Sequence, residues 1–154
     1  MNEPLIFNSQ IKSDVVFGIG VKIVNPVNLY GCTIGNNTFV GPFVEIQKDV
    51  KIGDNCKIQS HTFICELVEL GDDCFVGHGV AFINDLFTNG GPAMGDKSLW
   101  RKTKVGKNVS IGSNATILPV EICDDVVIGA GAVVTKNIIM PGVYIGNPAK
   151  LLKK

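Results

Sequence analysis

Several common signals are scarce or absent in this sequence. Its 14 basic and 14 acidic residues cancel, which leaves no electrostatic footprint for a nucleic-acid partner. No apolar run approaches the roughly 18 residues of a membrane span. The first residues, MNEPLIFNSQ, lack the basic-then-apolar order of a signal peptide. The cysteines number five and include no C-x-x-C pair, so a zinc ribbon is not encoded. An odd count with no export signal predicts reduced thiols in the cytoplasm. There are two histidines and one tryptophan.

Glycine, by contrast, is abundant, with 18 in 154 residues, and 45% of the chain is apolar. That composition supports a single core-forming domain over 1–154. The glycines keep time. From Ile34 the chain places an apolar residue every sixth position: Val40, Ile46, Ile52, Ile58, Ile64, Leu70, Val76 and Phe82. Glycine follows directly at 35, 41, 53, 71 and 77, and a small or β-branched residue stands four places on: Thr38, Val44, Val50, Cys56, Thr62, Val68, Cys74 and Val80. The beat resumes at Val105, Ile111 and Ile117, then slips by one to Ile122, Ile128 and Val134; upstream, Phe17, Ile23 and Leu29 precede a similar slip. A fixed short period predicts a solenoid. Three strand-and-turn sides close a coil of about eighteen residues, and coils stack roughly 4.8 Å apart. The apolar and small residues fill the interior, with Cys56 and Cys74 as core residues one coil apart. Glycine is expected at corners whose backbone angles other residues resist.

Three segments, IGNNTFVGPFVEIQ, IGSNATIL and VVIGAGAVVTKNI with the following PGVYIGNPAK, resemble the hexapeptide-repeat acyltransferases, from about Phe17 to Lys150. The resemblance implies a left-handed parallel β-helix, an exception to the usual right-handed crossover. It also implies a homotrimer with active sites between adjacent subunits. The predicted fold is therefore all-β, a left-handed parallel β-helix with one extruded loop at about 84–104 and a short C-terminal tail.

The loop is where the beat stops: after Phe82 the next core position should be residue 88 but is Val105, an insertion of about seventeen residues. Long loops without secondary structure are usually functional. It can reach a neighbouring subunit and wall off a cleft, or act only as a clasp of the trimer. The stretch before it, KIQSHTFICELVELGDDCFVGHGVAFINDLF, resembles the nucleotide-linked 3-amino-sugar N-acetyltransferases through Lys57-Ile58-Gln59 and Asn84. That resemblance implies acetyl transfer from acetyl-CoA to a UDP- or dTDP-linked amino deoxy sugar. Leu86 and Phe87 follow Asn84 where the uronic-acid branch often has arginine, which favours a neutral sugar.

In an eighteen-residue register Asn84 lies above Glu66, Glu66 above Lys48, and His61 below Gly79. On that basis His61, Glu66, His78, Asn84 and Asp85 are expected to gather within one or two coils. Asn84 and Asp85 are expected to orient the sugar, with His61 the preferred base and His78 the alternative; imidazole titrates near neutrality. Glu66, His78, Gln59 and Trp100 are candidate substrate contacts, although Glu66 can equally pair with Lys48 and Trp100 can stack on a base or seal the loop. A backbone N–H near Gly77 or Gly79 is expected to face the oxyanion.

For acetyl-CoA, the resemblance implies a groove along a prism edge near the C-terminal coils. Gly129, Ala130 and Gly131 would let the pantetheine arm approach backbone, Lys136 and Lys150 would meet phosphates, and Pro148 the adenine. No metal is expected: the γ-type carbonic anhydrases share this β-helix but use three histidines. The alternatives are acyl transfer to a 4-amino sugar or a small hydroxyl acceptor, and a noncatalytic scaffold. The 4-amino enzymes commonly carry an N-terminal nucleotide-binding domain, for which the early start of the beat leaves no room.

Overall fold

A computed structural model describes residues 10–153; the stretch 1–9, which carries most of the N-terminal segment examined for a signal peptide, and residue 154 lie outside it. The chain winds as a three-sided parallel β-helix, left-handed as expected. Sheet I holds Val16–Phe17, Thr33–Ile34, Lys51–Ile52, Val68–Leu70, Thr103–Val105 and Glu121–Ile122. Sheet II holds Lys22–Ile23, Phe39–Val40, Lys57–Ile58, Phe75–Val76, Ser110–Ile111, Val126–Ile128, Gly142–Ile145 and Lys150–Leu151. Sheet III holds Asn28–Leu29, Glu45–Ile46, Phe63–Ile64, Ala81–Phe82, Thr116–Ile117 and Val133–Val134. Each two-residue strand points one side chain out and one in, because successive side chains alternate.

The inward column is the one the beat predicts: every sixth-position residue from Ile34 to Phe82, and the beat residues from Val105 to Val134, are buried. The second column, Thr38 to Val80, is buried too. Its polar members meet backbone. Thr38 Oγ1 donates to the Gly53 carbonyl at 2.9 Å and accepts from Cys56 N–H, and the Cys56 and Cys74 thiols face the Gly71 and Gly106 carbonyls at 3.2 Å. Burial pushes the Cys65 thiol up to about 12 and Cys32 to about 11, so both stay protonated at neutral pH. Upstream the column opens: Phe17 is 40% exposed, because the first coil has no described coil beneath it.

Register shows where the slips lie. Coils step by eighteen residues in the middle (Lys51 beside Glu69) and by seventeen near both ends (Val16 beside Thr33, Lys104 beside Glu121). Both short turns, Leu29 to Ile34 and Ile117 to Ile122, lie on the edge joining sheets III and I. The insertion lies there as well, since Leu70 pairs with Val105. One edge of the prism absorbs every irregularity, and the other two keep strict time. The C-terminal tail is not loose: Lys150–Leu151 folds back antiparallel on Gly142–Ile145.

The role expected of the beat's glycines is corrected. Those following the apolar residues do not have positive φ. Left-handed backbone falls two residues later, at Asn37, Asp49, Asn55, His61 and Asp73 among others. The glycines are required by crowding instead: a Cβ on Gly53 would lie 2.6 Å from the Gly71 backbone carbon, and one on Gly71 would lie 2.6 Å from the Gly106 carbonyl oxygen.

Candidate active site

The register sorts the expected site residues onto two edges. Gln59, His61 and His78 lie on the edge between sheets II and III. His61 sits in a left-handed turn (φ 63°), and its imidazole stacks on the exposed Phe43 ring with centroids 4.8 Å apart. His78 is one coil above, also exposed. Glu66, Asn84, Asp85 and Trp100 lie on the edge between sheets III and I. The five residue steps from His61 to Glu66 cross sheet III, roughly 15 Å of extended chain. The expected gathering of His61 and His78 with Asn84 therefore does not occur within one chain: sheet III stands between them.

On the III–I edge the local geometry is tight. Asn84 Nδ2 donates to the Glu66 carbonyl at 3.2 Å, as the one-coil register requires. That bond fixes the amide orientation and leaves Oδ1 as the outward acceptor. The Asn84 carbonyl accepts from Arg101 N–H at 2.9 Å and closes the loop at its neck. Asp85 turns into the loop: Oδ1 accepts from Phe87 N–H at 2.9 Å and Oδ2 from Ala93 N–H at 2.7 Å. Glu66 is 9% exposed and pairs not with Lys48 but with Lys97, whose ammonium reaches Oε1 at 2.9 Å and Oε2 at 2.7 Å. Gln47 Oε1 accepts from Glu66 N–H and its amide donates to Glu45. Burial, together with the Glu45 and Glu66 charges, raises the Tyr30 phenol above its usual value. Trp100 is half-buried, with the Lys97 ammonium 5.2 Å from its ring centroid. The loop tip exposes Leu86, Phe87 and Met94.

Sequence reading missed Lys97. No period governs a loop, so nothing in the sequence paired it with Glu66. Gln47 and Tyr30 were legible from register alone, as corner residues beneath Glu66.

The upper II–III edge brings together most of the expected cofactor residues. Val133 N–H donates to the Gly146 carbonyl at 2.9 Å and Ala149 N–H to the Val133 carbonyl at 2.8 Å. These bonds lay the segment carrying Pro148 and Lys150 against the Gly129–Gly131 turn. Gly131 has φ 68° with open space where a Cβ would stand, a fit for a thin ligand arm approaching backbone. Lys136 lies beyond Val134, across sheet III from this groove. Of the backbone groups around the expected oxyanion position, Gly77 N–H is spent on the Ile111 carbonyl and Gly79 N–H on the Ser60 carbonyl. The neighbouring His78 and Ala130 N–H groups make no hydrogen bond among the described residues. Among those residues no three His, Cys, Asp or Glu side chains are placed to hold a metal ion, and no helix is long and apolar enough to cross a membrane.

Comparison with known proteins agrees with the coil. Residues 31–66 match the family described as bacterial transferase hexapeptide (six repeats), and residues 102–136 match the hexapeptide repeat of succinyl-transferase. The chain is 34% identical over 140 residues to the bifunctional protein GlmU of Clostridium novyi, covering 85% of this chain and 30% of that protein. It thus spans less than a third of the length of that curated relative. AntD, an N-acyltransferase from Bacillus cereus crystallised with dTDP and 3-hydroxybutyryl-CoA, superposes with a TM-score of 0.78 at 26% identity, covering 90% of this chain and 81% of AntD. A maltose O-acetyltransferase from Clostridium difficile is 26% identical with a TM-score of 0.55, covering 90% and 70% of the two chains. With its six-residue period, its three-sided coil and both repeat matches, the chain carries the hexapeptide repeat that these models describe for bacterial transferases.

Proposed function

We propose that this chain moves an acetyl group from acetyl-CoA to the 3-amino group of a dTDP- or UDP-linked amino deoxy sugar. The reaction would serve cell-surface glycan precursor synthesis, in the cytoplasm. The observation that carries this reading is Asn84, whose amide is pinned at the root of the loop with Oδ1 free to accept from an amine. AntD supports the acceptor class, being an N-acyltransferase with bound dTDP. The site would lie between copies of a homotrimer, the II–III edge of one meeting the III–I edge of the next. That arrangement answers the separation of His61 from Asn84.

In this reading Asn84 Oδ1 accepts one N–H of the neutral amine and aims its lone pair at the thioester carbonyl. Asp85 shapes the loop around the sugar through Phe87 and Ala93. Trp100 flanks the nucleotide base, while Glu66, Gln59 and His78 border the pocket. As the C–N bond forms, a free turn N–H such as that of His78 faces the developing oxyanion. His61 of the neighbouring copy takes the amine proton. The C–S bond then breaks, and the proton passes to the departing thiolate. Gly129, Ala130, Gly131, Pro148 and Lys150 line the CoA groove, and Lys136, on the III–I edge, would meet the phosphates held by the neighbouring copy.

A thiol-release assay with acetyl-CoA across UDP- and dTDP-linked 3-amino and 4-amino sugars tests this reading, with the product mass fixing the group transferred. Release confined to 3-amino sugars supports it. Release only with 4-amino or hydroxyl acceptors, or none at all, refutes it.

A further inference from the structure

Lys97 has no part in the scheme above, yet the distal limb of the loop is built around it. It opens the single 3-10 turn of the loop, Lys97–Leu99, which Asp96 caps by accepting from Ser98 N–H at 3.0 Å and Ser98 Oγ at 2.6 Å. Its carbonyl accepts from Trp100 N–H at 3.2 Å, and its ammonium lies over the Trp100 ring. The same ammonium holds both oxygens of Glu66, whose side chain is 11% exposed. Lys51 and Glu69 are 3.8 Å apart with side chains 72% and 37% exposed, a looser pair on a more exposed carboxylate. Exposed pairs of that sort contribute little. The Lys97 side chain is itself 56% exposed, so the pair is partly screened, but removing it leaves the buried Glu66 carboxylate without its cation. Glu66 is in turn the residue whose carbonyl orients Asn84. Apart from the neck, the Lys97–Glu66 pair is the one side-chain hydrogen bond or ion pair between the 93–100 limb and the coil among the described residues.

We propose that Lys97 is a positioning residue: clamped on the buried Glu66 carboxylate, it fixes Trp100 beside Asn84 before substrate arrives, so that the acceptor pocket is already ordered. The proposal rests on the acceptor-site reading of the loop. Preorganisation of this kind lowers the ordering cost at binding. It therefore acts on the nucleotide sugar and not on acetyl-CoA, whose groove lies on another edge.

The chain's one tryptophan gives a readout independent of turnover. In Lys97→Met the Trp100 emission should shift red and acrylamide should quench it more strongly. KM for the nucleotide sugar should rise about tenfold, the loss expected for a hydrogen bond to a charged group, with KM for acetyl-CoA unchanged. Lys97→Arg should restore both. Glu66→Gln, which keeps the buried shape, should reproduce the emission change and serves as the second arm if Lys97→Met does not fold. Unchanged emission and quenching in a variant that elutes as wild type overturns the proposal, and so does an equal rise in KM for acetyl-CoA. If the wild type releases thiol with no nucleotide sugar, the acceptor reading fails while the emission arm still decides the clamp.

Discussion

Asn84 is oriented before any ligand binds, because the Glu66 carbonyl can only accept, and only the amide nitrogen can meet it. Asn84→Ala removes that acceptor and one hydrogen bond worth about 1 kcal/mol. Turnover should fall on the order of 100-fold, with assembly intact by sedimentation and stability within about 1 kcal/mol by denaturation. Wild-type turnover would remove Asn84 from the mechanism. Gly53 makes the opposite case, since it serves packing and not chemistry. A Cβ there would lie 2.6 Å from both the Gly71 backbone carbon and Asp72 Oδ1, so Gly53→Ala must push coils apart and should cost about 1–3 kcal/mol. Gly91, with nothing within 4 Å of its Cβ position, should accept Ala with a change within about 0.5 kcal/mol. Urea unfolding of the two variants measures the contrast.

The turns of one edge carry their own stabilising element. Between sheets I and II, each coil's Asx side chain accepts the N–H of the coil below: Asp54 from Asn36 at 2.7 Å, Asp72 from Asp54 at 3.0 Å, Asp124 from Lys107 at 2.7 Å. A second ladder runs beside it from Asn37 through Asn55 to Asp73. Lys107, 2.8 Å from Asp72, holds that carboxyl below its usual 3.8, and the Asp54 N–H adds to the effect. Because the folded pKa is lowered, the stabilisation is present at neutral pH and is lost as pH falls through the folded value. Lys107 is raised by the same pair, so its share is lost only as pH climbs past 10.5. In Asp72→Asn the amide oxygen still accepts the N–H, but the charge is gone. Its Tm deficit should stay constant from pH 7 to about 5 and shrink below about 4. A deficit independent of pH would show that the carboxylate charge contributes nothing.

At the scale of the molecule, the proposed site, with His61 on one edge and Asn84 on another, would need two chains. Purified His61→Ala and Asn84→Ala should each be impaired. Unfolded and refolded together, they should regain activity, since mixed assemblies contain sites with His61 from one chain and Asn84 from another. No recovery in assemblies shown by mass spectrometry to be mixed would place the whole site in one chain. The exposed loop residues Leu86, Phe87 and Met94 stand on the edge where that neighbour would approach.

The period by itself determined the coil, the apolar column from Leu29, the small-residue column from Thr38 to Val80, the two one-residue slips and the length of the insertion, because each depends only on counting. It also placed Asn84 over Glu66. Tertiary structure decided what counting cannot reach. The glycines serve coil-to-coil crowding, and the left-handed corners fall to Asn, Asp and His two residues on. Asp85 is taken by its own loop, and the N–H groups of Gly77 and Gly79 are spent within the ladder. Lys97 meets Glu66 across 31 residues of sequence. A six-residue beat fixes height along the prism and which side a residue stands on. It does not say how wide a side is or where an aperiodic loop comes to rest, and those distances divided the histidines from Asn84.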